Sequence, residues 1–131
     1  MANILIVEDD ENISTLVAHS LKKAGHEVKI AIDGIQAMNL ARQFQPALVV
    51  LDFMFPAGGG ASFHKRIRQS AHTSKTPILL LTAAPEDQVM QAIGGDPITA
   101  FLGKPFNRDA LLQKVAEMLG GAPPQLTPPG H

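Results

Sequence analysis

Three acids, one hydroxyl and one amine hold the positions in this chain where chemistry is expected. Glu8 and Asp9 follow the apolar run Asn3–Val7. Asp52 ends the run over 47–51, Thr82 ends the run over 77–81, and Lys104 follows the run over 98–102. Carboxylates brought together repel unless a cation lies between them. Mg²⁺ suits such a set, because it takes oxygen ligands, keeps several waters and readily shares a phosphate. A metal, an amine and a hydroxyl around one carboxylate make a site for phosphoryl transfer. The cations neutralise charge on the equatorial oxygens, and a hydroxyl and a backbone N–H donate to them. Asp52 is the nucleophile in that scheme and would form an acyl phosphate.

Taken singly, each residue has an ordinary explanation. Asp52 can start a turn before Pro56, and Thr82 is a β-branched strand residue. Lys104-Pro105 is a turn, with a cis peptide as one option. Asp10 and Glu11 fit the solvated, electropositive start of a helix better than a metal site. The signal lies in joint placement, and so in the elements that bring these residues together.

Those elements alternate. Asn3–Val7 is a short buried strand, and a helix follows with Ile13, Leu16, Val17, Ser20, Leu21 and Ala24 at helical spacing. Lys22 and Lys23 lie in its last turn and Gly25 just beyond, as the helix dipole and a left-handed cap favour. Glu27–Ala31 alternates and suits a strand near an edge. Ile35, Ala37, Met38, Leu40, Ala41 and Phe44 make a second amphipathic helix, stopped before Pro46. The run over 47–52 is continuously apolar up to Asp52, the pattern of a strand buried on both faces.

The loop over 53–60 holds Pro56 and three glycines. A helix is expected over 61–69 and a buried strand over 77–82, with Pro77 at its first position. Pro85 opens a weak helix that Gly94-Gly95 ends. A fifth strand covers 98–102. Asn107 caps a last helix carrying Leu111, Leu112, Val115, Met118 and Leu119. Residues 121–131, with four prolines, are expected to be a disordered tail or linker stub after one domain over 1–120. Strands alternating with helices imply a doubly wound α/β fold, with a parallel sheet and right-handed crossovers. Ligands then bind at the carboxyl ends of the strands, where all five singled-out residues fall.

Composition narrows the classes. With 131 residues, 45% hydrophobic and 18% charged, the chain is one globular domain with a proper core. A net charge of -1 and no basic run argue against direct nucleic-acid binding. There are no cysteines for disulfides, thiolate metal sites or nucleophiles. No signal peptide or membrane span is legible, so a cytoplasmic protein is expected. The histidines (His19, His26, His64, His72 and His131) show no metal-ligand spacing and are expected at the surface.

The sequence resembles the receiver domain of two-component response regulators, the CheY-like family. Ile4-Leu5-Ile6-Val7-Glu8-Asp9-Asp10 resembles the family's opening strand and acidic pair, and Leu51-Asp52-Phe53-Met54-Phe55-Pro56 its phosphoacceptor loop. Leu80-Leu81-Thr82-Ala83 is similar to its switch-hydroxyl strand, and Phe101-Leu102-Gly103-Lys104-Pro105-Phe106 to its lysine motif. The likeness runs from about residue 2 to 119.

The resemblance implies a flavodoxin-like (βα)5 fold with strand order 2-1-3-4-5. It implies that Asp52 accepts phosphate from a histidine kinase or a histidine phosphotransfer protein. Glu8, Asp9, Asp52 and the Met54 carbonyl would hold Mg²⁺. Thr82, Lys104 and the Ala83 N–H would contact the phosphoryl oxygens, and Thr82 and Phe101 would switch an output face. That face would serve an effector protein, a missing output domain or a phosphorylation-dependent dimer, or the chain would pass phosphate onward in a phosphorelay. The chain would catalyse only its own phosphorylation and dephosphorylation. It departs from the family at Ala57-Gly58-Gly59-Gly60 after the phosphoacceptor and at Asp96-Pro97-Ile98-Thr99-Ala100 before Phe101.

Three other classes fit less well. An Asp-nucleophile hydrolase wants a second acid at the position of Met54. A flavin carrier wants a phosphate loop where Glu8-Asp9-Asp10-Glu11 stands, and those carboxylates repel phosphate. A degenerate receiver that binds a partner without phosphorylation commonly lacks an acid or the lysine, and all are retained here.

Overall fold

The structure is a computed structural model, and it describes residues 2–54 and 59–120. Ten elements alternate along the chain. They are β1 (Asn3–Val7), α1 (Glu11–Lys23), β2 (Glu27–Ala31), α2 (Gly34–Phe44), β3 (Leu48–Asp52), α3 (Gly60–Gln69), β4 (Ile78–Thr82), α4 (Glu86–Ile93), β5 (Thr99–Gly103) and α5 (Arg108–Met118). The strands form one five-stranded sheet in the order β2-β1-β3-β4-β5. Every pairing is parallel. All carboxyl ends therefore lie on one edge.

Strand alternation divides the core into two layers. Leu5, Val7, Val49, Leu51, Ile78 and Leu80 face one side, packed with Ala37 and Ala41 of α2, Phe63 and Ile67 of α3 and Val89 of α4. Ile4, Ile6, Leu48, Val50, Leu79 and Leu81 face the other, packed with Val17, Ala18 and Leu21 of α1 and Leu111 and Val115 of α5. β3 and β4 are buried along their whole length, and β2, at the edge, alternates between exposed and covered. Each fully buried Leu or Ile removes enough apolar surface to contribute about 1.5–3 kcal/mol.

The helices start as their sequences direct. Asp10 caps α1 by accepting from the Asn12 and Ile13 amides, Asp33 caps α2 and Asn107 caps α5. Asp10 is therefore committed to the helix, as its position implied. Three details differ from the sequence expectation. Leu16 and Ile35 are exposed (56% and 75%). Leu16 falls outside the stripe of Ser14, Val17, Ala18 and Leu21, and Ile35 lies in the open first turn of α2. β5 begins one residue later than its apolar run, because Ile98 still belongs to the turn made by Asp96. Pro85 is the N-cap of α4 rather than its first helical residue. The expected tail over 121–131, and Pro56 with residues 55–58 of its loop, lie outside the described residues.

Candidate phosphoryl-transfer site

Each site residue leaves the sheet where a strand ends. Asp52 is the last residue of β3 and is buried, and Thr82 is the last of β4 and is also buried. Glu8 directly follows β1, is 1% exposed, and its amide donates to the Ala31 carbonyl of β2. Asp9 stands next to it and is exposed. Lys104 follows β5, and its amide donates to the Thr82 carbonyl at 2.8 Å, which fixes the start of its side chain. The Lys104–Pro105 peptide is cis.

These placements converge. Lys104 Nζ lies 3.0 Å from Asp52 Oδ1, a half-buried charge-assisted bond. The Met54 amide donates to the same oxygen at 3.2 Å. One carboxylate oxygen from each of Glu8, Asp9 and Asp52 lies within 4.8 Å of the others. Glu8 Oε2 accepts from the Asp10 amide at 3.2 Å. Glu8 Oε1 is the one buried side-chain polar atom among the described residues that has no hydrogen-bond partner. Burial first, and the neighbouring Asp52 second, push the Glu8 carboxyl up to about 7.

A buried carboxyl with an orphaned oxygen, clustered with two further acids and with the amine already engaged by Asp52, is a donor set short of positive charge. All the side-chain donors are hard oxygens, one acid is open to solvent, and Mg²⁺ fits such a set. Thr82 Oγ1 accepts from the Ala84 amide at 2.9 Å, which holds the hydroxyl beside the Asp52 strand end. Ala83 is exposed at the same turn. Phe101 is half-buried and packs on the α2–α3–α4 side of the sheet. Gly60 starts α3 against the backbone of Phe53, and a Cβ there would overlap the Phe53 carbonyl. Glycine at this position lets α3 begin directly against the turn that follows Asp52.

A second polar cluster was not legible in the sequence. His64, expected at the surface, is buried at 4% exposure between α3 and the α4–β5 connection, where it meets Asp96 and Thr99. Its ring lies in the row beside the Phe63–Ile67 stripe, and Arg68 occupies the same row one turn on. A cavity of about 490 Å³ lies over this cluster, lined by His64, Arg68, Ile93 and Asp96, and not over Asp52. His19 and His72 are exposed as expected. His26 is half-buried and accepts from the Ala2 amide.

A doubly wound parallel sheet in this order, with acids, hydroxyl and lysine at its carboxyl edge, is the arrangement of receiver domains in two-component signalling. The chain belongs to the response regulator receiver domain family, whose profile matches residues 4–116. It is 40% identical to the DNA-binding dual master transcriptional regulator RpaA of Synechocystis over 91% of this chain, and it spans 49% of that relative's length. Its fold is similar to the chemotaxis response regulator CheY4 of Vibrio cholerae, with TM-score 0.81 and 33% identity over 90% of this chain and 98% of that one. The receiver domain of the sensor histidine kinase PA1611 of Pseudomonas aeruginosa, solved with magnesium in its active-site cleft, matches with TM-score 0.80 and 27% identity, covering 92% of this chain and 98% of that one. Among the described residues, no helix is long and apolar enough to cross a membrane.

Proposed function

We propose that Asp52 accepts a phosphoryl group from a phosphohistidine and that the modification switches the face formed by α4, β5 and α5. The carrying observation is a buried Asp52 at the end of β3, bonded by Lys104 at 3.0 Å and faced by two more acids. An Asp52 carboxylate oxygen attacks phosphorus as the N–P bond of the donor breaks, and the imidazole leaves with the electron pair. Lys104 holds the nucleophile before transfer and takes phosphoryl charge after it. The Thr82 hydroxyl and the Ala83 amide, at the adjacent strand end, donate to the remaining oxygens. Glu8, Asp9, Asp52 and the Met54 carbonyl are the proposed ligand set for Mg²⁺. When bound, the ion supplies charge neutralisation on the phosphoryl oxygens.

The added charge is the signal. Thr82 leaves the Ala84 amide for the phosphoryl group, and Phe101 follows into the space beside α4. The donor class is a sensor histidine kinase or a histidine phosphotransfer protein, and the readers are an effector protein, a second copy or an output domain. The comparison with RpaA supports the output-domain case, since that relative is a DNA-binding regulator about twice as long. In this reading the receiver unit covers 1–120, with 121–131 outside it.

The test is incubation with Mg²⁺ and acetyl phosphate, followed by intact mass. A gain of roughly 80 Da, one phosphoryl group, that disappears in Asp52→Ala is the expected result. No gain from a folded protein would leave a phosphorylation-independent binding module as the better account.

A further inference from the structure

The second polar cluster sits at the amino edge of the sheet, away from Asp52. Asp96 lies between α4 and β5, and its Oδ2 accepts from Arg68 Nε at 2.6 Å and from Thr99 Oγ1 at 2.7 Å. The same oxygen lies 2.9 Å from His64 Nε2. Asp96 Oδ1 accepts from the Ile98 amide at 3.0 Å. Because Thr99 gives its proton to Asp96, its oxygen is left to accept from His64 Nε2 (3.0 Å) and Arg68 Nη2 (3.3 Å). This assigns the His64 proton to Nε2. Arg68 Nη1 donates to the Thr76 carbonyl at 2.6 Å. The cluster ties α3, the segment before β4 and the start of β5 together, with no buried side-chain polar atom left unpaired.

What adjoins it is loosely held. Val89 is the one buried residue of α4. The helix ends in Gly94 and Gly95, both at φ 78°, where an added Cβ would meet nothing within 4 Å. Glycine serves the backbone angle there, not packing. A left-handed glycine cap therefore separates a lightly seated helix from a pinned loop. Phe101 lies two residues beyond Thr99, on the same face of β5, in the core layer that includes Val89 and Ile93.

We propose that this cluster is a latch on the switch, with Asp96 and Thr99 as positioning residues that hold β5 in its resting place. The inference rests on the phosphoacceptor reading above. Its physical basis is saturation. Every donor facing Asp96 is already paired in the arrangement where Thr82 still holds the Ala84 amide. Displacing β5 or its preceding loop against α3 lengthens bonds that nothing replaces. The latch therefore favours the resting arrangement, and removing it makes the phosphorylated one easier to reach.

The test is calorimetric titration with beryllofluoride, a phosphoryl mimic, in Mg²⁺. Thr99→Val deletes the hydroxyl at nearly constant volume, and Thr99→Ser keeps it. The expected result is affinity about threefold to tenfold tighter in Thr99→Val, the size of one lost hydrogen bond, with Thr99→Ser close to wild type. Equal affinity in wild type and Thr99→Val, with only the melting temperature lowered, would overturn the latch and leave the phosphoacceptor reading intact. Failure of wild type to bind the mimic or gain a phosphoryl group would overturn both. Should Thr99→Val not fold, His64→Leu carries the same comparison, since it removes the N–H donor that faces both Asp96 and Thr99.

Discussion

At the carboxyl edge of the sheet, Glu8, Asp9 and Asp52 face one another, and Lys104 is the one cation bonded to them among the described residues. At the amino edge, Asp96 faces Arg68, His64 and Thr99, and every buried side-chain group is paired. Both clusters hold buried polar groups and are built from similar residue types. They differ in balance. The first is short of positive charge and keeps an orphaned oxygen on Glu8; the second is closed. Satisfied polar clusters fix geometry, whereas unsatisfied ones are held open for a ligand or a reaction. The difference tells the site from the scaffold before any function is invoked.

The largest effect expected from breaking the comparison is at the closed cluster. Asp96→Ala removes the carboxylate that accepts from Arg68, His64 and Thr99 and leaves the half-buried Arg68 charge without its ion pair, and should cost about 3 kcal/mol. Urea unfolding would read this as a lower midpoint at unchanged slope. At the open cluster the sign reverses. Glu8→Gln removes a buried carboxylate that only Lys104, already bonded to Asp52, offsets when Mg²⁺ is chelated. At pH 8 the variant should be more stable than wild type by about 1 kcal/mol, and a loss of that size would mean that Glu8 is satisfied after all.

The pH dependence sharpens the same contrast. Burial, and then the Arg68 charge, lower the His64 pKa below its ordinary value. For Asp96, burial pushes upward, but the bonds from Thr99, Arg68 and the Ile98 amide together hold it below the usual carboxylate range. In both cases the unfolded chain binds protons more readily than the folded one, so stability rises with pH. The His64 contribution is lost as pH falls from its unfolded value of 6.5. The Asp96 contribution follows below 3.8, as pH falls through its lower folded value. Thermal melts of wild type and His64→Gln should therefore keep a constant separation above pH 6.5, with wild type losing stability relative to the variant as pH falls below it. A separation that does not change below pH 6.5 would remove His64 from the account.

The smallest effect concerns the lifetime of the phosphoryl group. Met54 is 59% exposed, and neither it nor Ala84 carries a polar group able to orient a water at Asp52. An acyl phosphate formed there should persist for minutes rather than seconds without a phosphatase, as loss of label after donor removal would show.

The open cluster was legible in the sequence because each member ends an apolar run. The run fixes the strand, strand–helix alternation fixes parallel pairing, and parallel pairing brings the ends to one edge. The closed cluster was not, because none of its members ends such a run. His64 and Arg68 lie beside the Phe63–Ile67 stripe of α3, and a helix stripe does not say whether its neighbouring row meets solvent or a loop. The available signal was the spacing of His64 and Arg68 by one turn, together with Asp96 in a segment that departs from the family pattern. Leu16 and Ile35 erred the other way, as apolar residues outside the buried stripe of their helices.

The most direct measurement of the central contrast is thermal stability with and without Mg²⁺ for wild type, Asp9→Asn and Thr99→Val. A ligand that binds only the folded state stabilises it by about 2.7 kcal/mol at a hundredfold excess over its dissociation constant. The account predicts a rise in melting temperature with Mg²⁺ for wild type and Thr99→Val, and little or none for Asp9→Asn. A wild-type protein indifferent to Mg²⁺, or an Asp9→Asn variant that responds fully, would contradict it.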